Sequence, residues 1–226
     1  MKKPITTIFV LTKTTERMSN TVLCAFLILV NLAFLSCANN PPSKEKTVNY
    51  LKDFPPTNPD STINAVIEIP SGTNEKWEVN KETGQLFWEK VDGVPRVVQY
   101  LPYIGNYGMI PGTLLPKELG GDGDPLDILV LGPSVPRGTV LKVHVIGVLK
   151  LLDSGEIDDK LIGVRSDSHF GKIHSMMELD QEMNGVKEII EIWFGNYKGK
   201  GKMEVLGFED KEVAIELLEA AIKHGS

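Results

Sequence analysis

The sequence predicts an α+β fold that is mainly β, with a small closed barrel flanked by helices. Short segments rich in Val, Ile and aromatic residues recur from about residue 62, and Gly and Pro punctuate them. Many short strands at close spacing are typical of a small barrel. Helical periodicity is found only towards the C-terminus, which argues against a helical bundle.

The strand predictions follow the chain in order. The segment "INAVIEIP" alternates apolar and polar residues and ends at Pro70, as a half-buried strand would. "KWEVNKETGQLFWEKV" predicts two short strands around a turn at Lys81–Gly84. Short strands with tight corners are expected in "PRVVQYLPYIGNYGMIPGT", and further strands in "PLDILVLG", "TVLKVHVIGVLKLLD" and "KLIGVR".

Two helices are predicted late in the chain. "GVKEIIEIWFGNYK" predicts a helix that ends near Gly195 or just beyond it. "EDKEVAIELLEAAIKHG" is clearer, because acids open it and Lys223 and His224 close it. Its expected apolar face comprises Val213, Leu217, Leu218, Ala221 and Ile222.

Length and charge limit the class of protein. The chain has 226 residues, 42% of them hydrophobic, which is enough for one domain with a real core. Its formal net charge of −6 argues against a general nucleic-acid binder, because phosphate backbones attract basic surfaces. We therefore expect no nucleic-acid partner.

Residues 1–37 have the features of a secretory signal. Positive charges precede the apolar stretch "VLCAFLILVNLAFLSC", which is short for a membrane-spanning helix. The segment resembles a bacterial lipoprotein signal, in which Cys37 is lipidated and becomes the mature N-terminus. An uncleaved anchor helix is the alternative, and Met18 is an alternative start to Met1. Either form predicts an exported protein of the periplasm or cell envelope, held at a membrane.

The residues after Cys37 predict a flexible tether. Residues 38–61 are polar and rich in proline, and the folded domain is expected at 62–226. The two cysteines, Cys24 and Cys37, both lie in the signal. The domain is therefore expected to have neither a disulfide nor a cysteine metal site.

Three aspartates lie close together in "DGDPLD", residues 122–127. In an extended segment Asp122 and Asp124 share a face and Asp127 lies opposite, so convergence needs a bend at Gly123 or Pro125. Such a cluster keeps its charge cheaply only beside cations, and Mg²⁺ is the natural partner of carboxylate oxygens. A solvated acidic turn is the alternative. A calcium-binding loop is excluded, because its twelfth position would be proline.

The rest of the chain favours a phosphorylated substrate. A second acidic group follows in "LLDSGEIDDKLIGV", with Asp153, Glu156, Asp158 and Asp159. Acids that hold metals, together with Lys, Arg and Tyr that hold anionic oxygens, suit a phosphate ester or phosphoanhydride. The basic residues and tyrosines concerned are Lys76, Arg96, Lys160, Lys198, Tyr103, Tyr107 and Tyr197.

With these residues, the chain resembles the soluble family I inorganic pyrophosphatases. "DGDPLD" matches their signature, and "VIEIP", "KWEV", "YIGNYGMIPGT", "GVLKLLDSGEIDDKLIGV" and "NYKGKGK" follow the family's order. The likeness covers roughly residues 62–222. It implies a five-stranded barrel of the oligonucleotide-binding type with flanking helices, Mg²⁺-dependent hydrolysis of pyrophosphate to two phosphates, and a homo-oligomer.

The resemblance also implies a role for each matching residue. Asp122 and Asp127 would bind the two metals that share the attacking water, and Asp124 would accept its proton, although Asp124 as a simple metal ligand stays open. Many relatives have a phosphate-binding arginine near this point of the chain, and Arg96 is favoured over Lys90 for that role. Further metal ligands would be Glu68, Asp153 and Asp158. Tyr107 would support the acids at the catalytic centre, and Glu78 would be a nearby pocket acid. Further contacts with the substrate would come from Lys76, Tyr103, Lys160, Tyr197 and Lys198.

The sequence also allows a non-enzymatic function, the binding of polyanions. Small barrels of this type also bind single-stranded nucleic acid or other polyanions through basic grooves and aromatic side chains. A surface lipoprotein with that function would need no catalysis. The net charge and the acid cluster both favour the enzyme.

Overall fold

The computed structural model describes residues 47–116, 121 and 123–225. The predicted signal, Cys37, the first part of the predicted tether and Asp122 lie outside these residues. Within the described part of the chain, no helix is long and apolar enough to cross a membrane.

Eleven strands and three helices form the described part of the chain. The strands are β1 (Ile63–Ile69), β2 (Trp77–Val79), β3 (Leu86–Trp88), β4 (Lys90–Val91), β5 (Val94–Pro95), β6 (Asn106–Met109), β7 (Asp127–Leu131), β8 (Val140–Asp153), β9 (Glu156–Ile157), β10 (Lys160–Val164) and β11 (Met203–Asp210). The helices are α1 (Met176–Glu182), α2 (Val186–Asn196) and α3 (Lys211–Gly225).

Five of the strands close into a barrel. Their order is β1-β6-β7-β10-β8, and β8 pairs back onto β1, with Ile63 opposite Val143. All pairs in the ring are antiparallel except β7 and β10, which run parallel. The mainly β fold with a five-stranded barrel, predicted from the sequence, is confirmed.

Strand β8 extends beyond the barrel and carries two strands there. Its second half pairs with β11, and its end forms a hairpin with β9. The sequence prediction missed β11, in which the register shifts between Val205 and Gly207 and breaks the alternation of side chains. It also missed the short helix α1, although the Ser175 hydroxyl caps it by accepting a hydrogen bond from the Glu178 N–H at 3.1 Å.

Strand β1 is buried along its whole length, whereas its alternating pattern predicted a half-buried strand. Ile67 belongs to the apolar cluster that includes helix α3, and Ile69 to the cluster that includes helix α2. Both faces of the strand are therefore covered. Asn64 and Glu68 are buried as the polar members of the strand.

Helix α3 is rotated slightly from the expected face. Ala214, Leu218 and Ala221 are its buried residues, whereas Val213 is exposed. Leu217 and Ile222 pack against the core and stay partly buried. Two members of the buried set were predicted, and Val213 was placed wrongly because its side chain lies at the edge of the stripe.

Residues 47–61 contact the barrel, although the sequence placed them in the tether. The Tyr50 N–H donates to the Gly84 carbonyl at 2.8 Å, and the Asn64 N–H donates to the Pro56 carbonyl at 3.0 Å. Tyr50 and Leu51 also pack on the cluster that contains Val66. The compact unit therefore begins at Thr47.

Candidate active site

A single pocket of about 440 Å³ gathers most of the predicted site residues. It lies where β1, β6, β7 and β10 meet the β2–β3 hairpin. Twelve of the predicted residues line it: Glu68, Lys76, Glu78, Arg96, Tyr103, Tyr107, Asp124, Asp127, Asp158, Lys160, Tyr197 and Lys198.

The centre of the pocket is a lysine between two aspartates. The Lys160 ammonium donates to Asp127 Oδ2 and to Asp158 Oδ1, the latter at 2.6 Å. The Lys160 side chain is only 2% exposed. Burial pushes the pKa of Asp127 up, but the ammonium of Lys160, together with Lys76 and Tyr107, holds this pKa below its usual range.

The strand register explains why these side chains meet. Strands β7 and β10 are parallel, and Leu161 pairs with Ile128. The residues that precede this pair, Lys160 and Asp127, therefore lie side by side at the starts of neighbouring strands. Tyr107 lies on the other neighbouring strand, β6, and its hydroxyl lowers the pKa of Asp127 further.

The β8–β9 hairpin supplies two more acids. Asp158 follows β9 and lines the main pocket, and burial raises its pKa. Asp153, at the end of β8, lines an adjoining hollow that shares Arg96, Tyr197 and Lys198 with the main pocket. Lys198 connects the two acids, because its ammonium lies 2.5 Å from Asp153 Oδ2 and 4.0 Å from Asp158 Oδ2.

Glu68 is the most deeply buried acid of the pocket. Its Oε1 accepts a hydrogen bond from the Val79 N–H at 2.7 Å. Burial raises the pKa of Glu68 to about 8, against the opposing charge of Lys76. Lys76 itself pairs with Glu78, at 2.8 Å, on the wall of the pocket.

Three tyrosines line the pocket and rest on helix α2. Trp193 of that helix stacks on Tyr197, with ring centroids 4.7 Å apart, and contacts Tyr103 at 4.5 Å. The Trp193 indole N–H donates to the Leu101 carbonyl at 3.1 Å, which fixes the ring. Burial raises the pKa of Tyr103, Tyr107 and Tyr197, so all three stay protonated and can donate hydrogen bonds.

Arg96 lines the pocket, whereas Lys90 is exposed on the β4–β5 hairpin. The Arg96 guanidinium donates from Nη1 to both carboxylate oxygens of Glu89 at 2.9 Å. Its carbonyl accepts from the Lys76 N–H at 3.0 Å and from the Trp88 indole at 2.8 Å. The backbone of Arg96 is therefore held against the segment that leads into β2 and carries Lys76.

Asp124 lies at the mouth of the pocket and forms an ion pair with Lys81. Lys81 belongs to the turn between β2 and β3, and both side chains are about half exposed. Sequence reasoning placed this turn correctly but did not foresee the contact, which depends on how the hairpin docks. Asp159, Asn80 and Phe87 are further lining residues that the site prediction did not include.

The donor set suits a hard divalent cation. The acids supply only carboxylate oxygens, which Mg²⁺ and similar ions prefer, and Asp127 and Asp158 already converge on one cationic atom. Among residues 47–116, 121 and 123–225, no three His, Cys, Asp or Glu side chains are grouped closely enough to hold one ion. The third acid expected there, Asp122, lies outside the described residues.

Comparison with known proteins decides the family. The sequence model of the inorganic pyrophosphatase family matches residues 65–226. This chain belongs to the inorganic pyrophosphatase family. It is therefore an inorganic diphosphatase of a metal-dependent family, as the sequence predicted.

Several pyrophosphatases are similar over most of their length. The inorganic pyrophosphatase of Campylobacter jejuni is 36% identical over 167 residues, which cover 72% of this chain and 91% of that protein. The Thermus thermophilus pyrophosphatase structure superposes with a TM-score of 0.65 at 33% identity, over 78% of this chain and 98% of that one. The Schistosoma japonicum pyrophosphatase structure gives a TM-score of 0.72 at 26% identity, over 78% and 71% of the two chains.

Proposed function

We propose that this pocket hydrolyses inorganic pyrophosphate to two phosphates with Mg²⁺ as the cofactor. The observation that carries the proposal is the convergence of Asp127 and Asp158 on Lys160 inside a pocket that also holds Arg96 and Lys198. Acids on one side and cations with tyrosine hydroxyls on the other match a substrate that is bound together with metal ions.

The acids would hold the metal. Asp122, Asp127 and Asp158 are its proposed principal ligands. Asp153, in the neighbouring hollow, and Glu68, at the pocket wall, are proposed to hold further ions. When bound, Mg²⁺ neutralises phosphate oxygens and lowers the pKa of a bound water. Tyr107 lines the pocket beside Asp127 and would support that carboxylate, whose pKa its hydroxyl lowers.

Asp124 is the proposed acceptor of the water's proton. It lies at the mouth of the pocket, where its carboxylate pairs with Lys81, and a carboxylate at this position can accept a proton. The pair is half exposed, so the interaction is weak enough to be exchanged when substrate enters.

The cations and tyrosines would bind the phosphates. Arg96 presents a planar set of donors that suits phosphate oxygens, while Lys76 and Lys198 act as point charges. Tyr103 and Tyr197 remain protonated and donate hydrogen bonds. Charge that builds on the departing phosphate would be stabilised by these fixed donors. Lys160 would add its charge from the floor of the pocket.

A phosphate-release assay tests the proposal. The purified protein is incubated with pyrophosphate and Mg²⁺, and the phosphate released is measured. A separate binding titration uses fluorescent single-stranded DNA. The proposal predicts metal-dependent release of two phosphates per pyrophosphate and no binding of DNA at physiological salt. Tight DNA binding without phosphate release would favour the non-enzymatic alternative.

We also propose that the protein is exported and held in the cell envelope by a lipid on Cys37. The support is the sequence alone: an apolar stretch between basic residues and a small residue followed by cysteine. Mass spectrometry of the mature N-terminus would show a diacylglycerol-modified Cys37. An N-terminus at Met1 or Met18 with an unmodified cysteine would contradict the lipid anchor and favour the uncleaved anchor helix.

Association into a homo-oligomer is a further proposal. Its support is the family to which the chain belongs. Light scattering on the purified protein would give a mass several times that of one chain, and the mass of a single chain, which is 25.0 kDa with the signal retained, would contradict it.

A further inference from the structure

Asp159 is a buried acid that the proposed mechanism does not use. It lies between Asp158 and Lys160, the two residues at the centre of the pocket. Its side chain is only 5% exposed and forms an ion pair with Lys150 of β8. A buried carboxylate is costly unless it is paired and hydrogen-bonded, so its presence there calls for a physical reason.

The Asp159 carboxylate takes part in the main-chain hydrogen bonding between two strands. Leu151 of β8 accepts a hydrogen bond from the Asp158 N–H at 2.9 Å through its carbonyl. Its own N–H donates to Asp159 Oδ1 at 3.2 Å. Leu151 is fully buried, so this N–H has no access to solvent and depends on that acceptor.

This contact lies where the strand pairing is interrupted. Leu152 pairs with Ile157 in the β8–β9 hairpin, and Leu149 pairs with Lys160 in β10. Residues 158 and 159 lie between these pairs and outside both strands. The side chain of Asp159 therefore joins the two strands at the point where Asp158 turns into the pocket.

We propose that Asp159 is a positioning residue for pyrophosphate hydrolysis, an inference that rests on the function proposed above. Its carboxylate anchors the chain to Leu151 and to Lys150 on β8. Asp158 before it and Lys160 after it are thereby held so that both point into the pocket. Asp159 acts through these neighbours and needs no contact with substrate.

The consequence is a specific loss in the variant Asp159→Ala. Removal of the carboxylate leaves the buried Leu151 N–H without its acceptor. It also releases the segment that carries Asp158 from strand β8. Disturbing a residue that supports a metal ligand typically costs about 10–100-fold in activity or metal affinity. We expect kcat/KM to fall by about that factor, with a higher Mg²⁺ concentration at half-maximal rate.

The experiment compares Asp159→Ala with Asp159→Asn and with Glu156→Ala. Asparagine keeps an oxygen acceptor for the Leu151 N–H but loses the ion pair with Lys150, so Asp159→Asn should be less impaired than Asp159→Ala, with a loss of about tenfold at most. Glu156 is exposed in the same hairpin and serves as the control, with wild-type values expected. All rates and Mg²⁺ titrations are made well below each variant's Tm, so that a loss of stability alone leaves kcat and the Mg²⁺ requirement unchanged.

Two results would overturn the inference. One is a folded Asp159→Ala protein with wild-type kcat/KM and Mg²⁺ requirement; the other is an Asp159→Asn protein as impaired as Asp159→Ala. If wild-type protein released no phosphate in the same assay, the proposed function would fail first, and the two failures are thus distinct.

A second variant covers the case in which Asp159→Ala does not fold. Lys150→Met removes only the ion pair and should raise the Mg²⁺ requirement by about tenfold, the lower end for such supporting contacts. Lys142→Met, on the same strand, is the control, because its pair with Asp60 is largely exposed. An unchanged Mg²⁺ requirement in Lys150→Met would contradict the inference.

Discussion

The ammonium of Lys160 and the carboxylate of Asp158 form a 2.6 Å ion pair at the buried floor of the pocket. The same ammonium binds Asp127, so one positive charge lies between two negative ones. Two carboxylates this close repel each other unless a cation separates them. Lys160 is therefore the charge that allows both acids to stay ionised before metal binds.

The substitution Lys160→Met should destabilise the metal-free protein. It leaves Asp127 and Asp158 buried without their partner, and breaking a buried pair in this way costs about 3–5 kcal/mol. Urea denaturation in EDTA measures the free energy of unfolding. Mg²⁺ should stabilise the variant more than the wild type, because the ion replaces the missing charge.

The exposed Lys172 provides the control for that experiment. Lys172→Met should unfold at the wild-type urea concentration. An equal free energy of unfolding for Lys160→Met and Lys172→Met in EDTA would mean that Lys160 does not hold the acids together.

The substitution Asp124→Asn distinguishes a general-base role of Asp124 from a role as a metal ligand. An amide does not take up the proton, so turnover should be lost, while metal affinity stays close to that of the wild type. Phosphate release measures the first quantity, and calorimetric titration with Mg²⁺ the second. A parallel loss of metal binding would show that Asp124 is a ligand.

Arg96 and Lys90 offer a matched pair of substitutions. Arg96 lines the pocket and Lys90 is exposed, so Arg96→Met should lower kcat about 10²–10³-fold, or about 2.7–4 kcal/mol of barrier, as for other oxyanion donors. Lys90→Met should have little effect. Steady-state kinetics compare the two, and a larger loss in Lys90→Met would reverse the assignment.

Glu68 should make the metal-free protein less stable as pH rises. Its pKa is about 8 in the folded state, because of burial, and its ordinary value is 4.5. Between these values the folded state binds more protons at this group than the unfolded state, so its contribution to stability is present below pH 4.5 and is lost towards pH 8.

Urea denaturation in EDTA at about pH 5 and pH 8.5 checks this prediction. Glu68→Gln should remove the decline, because glutamine does not titrate. Glu216→Gln, on the exposed side of α3, should retain the wild-type pH dependence. The same decline in Glu68→Gln as in the wild type would assign it to another group.

The sequence predicted the barrel because its strands carry strong local patterns. The turn at Lys81–Gly84 and the end of α2 near Gly195 follow from glycine positions and were confirmed. Strand β11 was missed because the shift at Gly207 breaks its period of two. Residues 47–61 resembled a linker in composition, and only their contacts with Gly84 and Val66 place them in the folded unit.

The sequence predicted which residues form the site, but it did not predict the contacts between them. The resemblance supplied Asp127, Asp158 and Lys160, but their shared ion pair depends on the parallel register of β7 and β10. The support of the tyrosines by Trp193 likewise depends on the docking of α2. Such long-range contacts have no signature in a local pattern.

Crystals grown with Mn²⁺ in place of Mg²⁺ would show whether these carboxylates bind a divalent ion, because Mn²⁺ is located by its anomalous scattering. We expect ions bound by Asp122, Asp127 and Asp158, with the Lys160 ammonium moved away from at least one carboxylate. Crystals of protein that hydrolyses pyrophosphate with Mn²⁺, in which these three acids contact no ion, would contradict it.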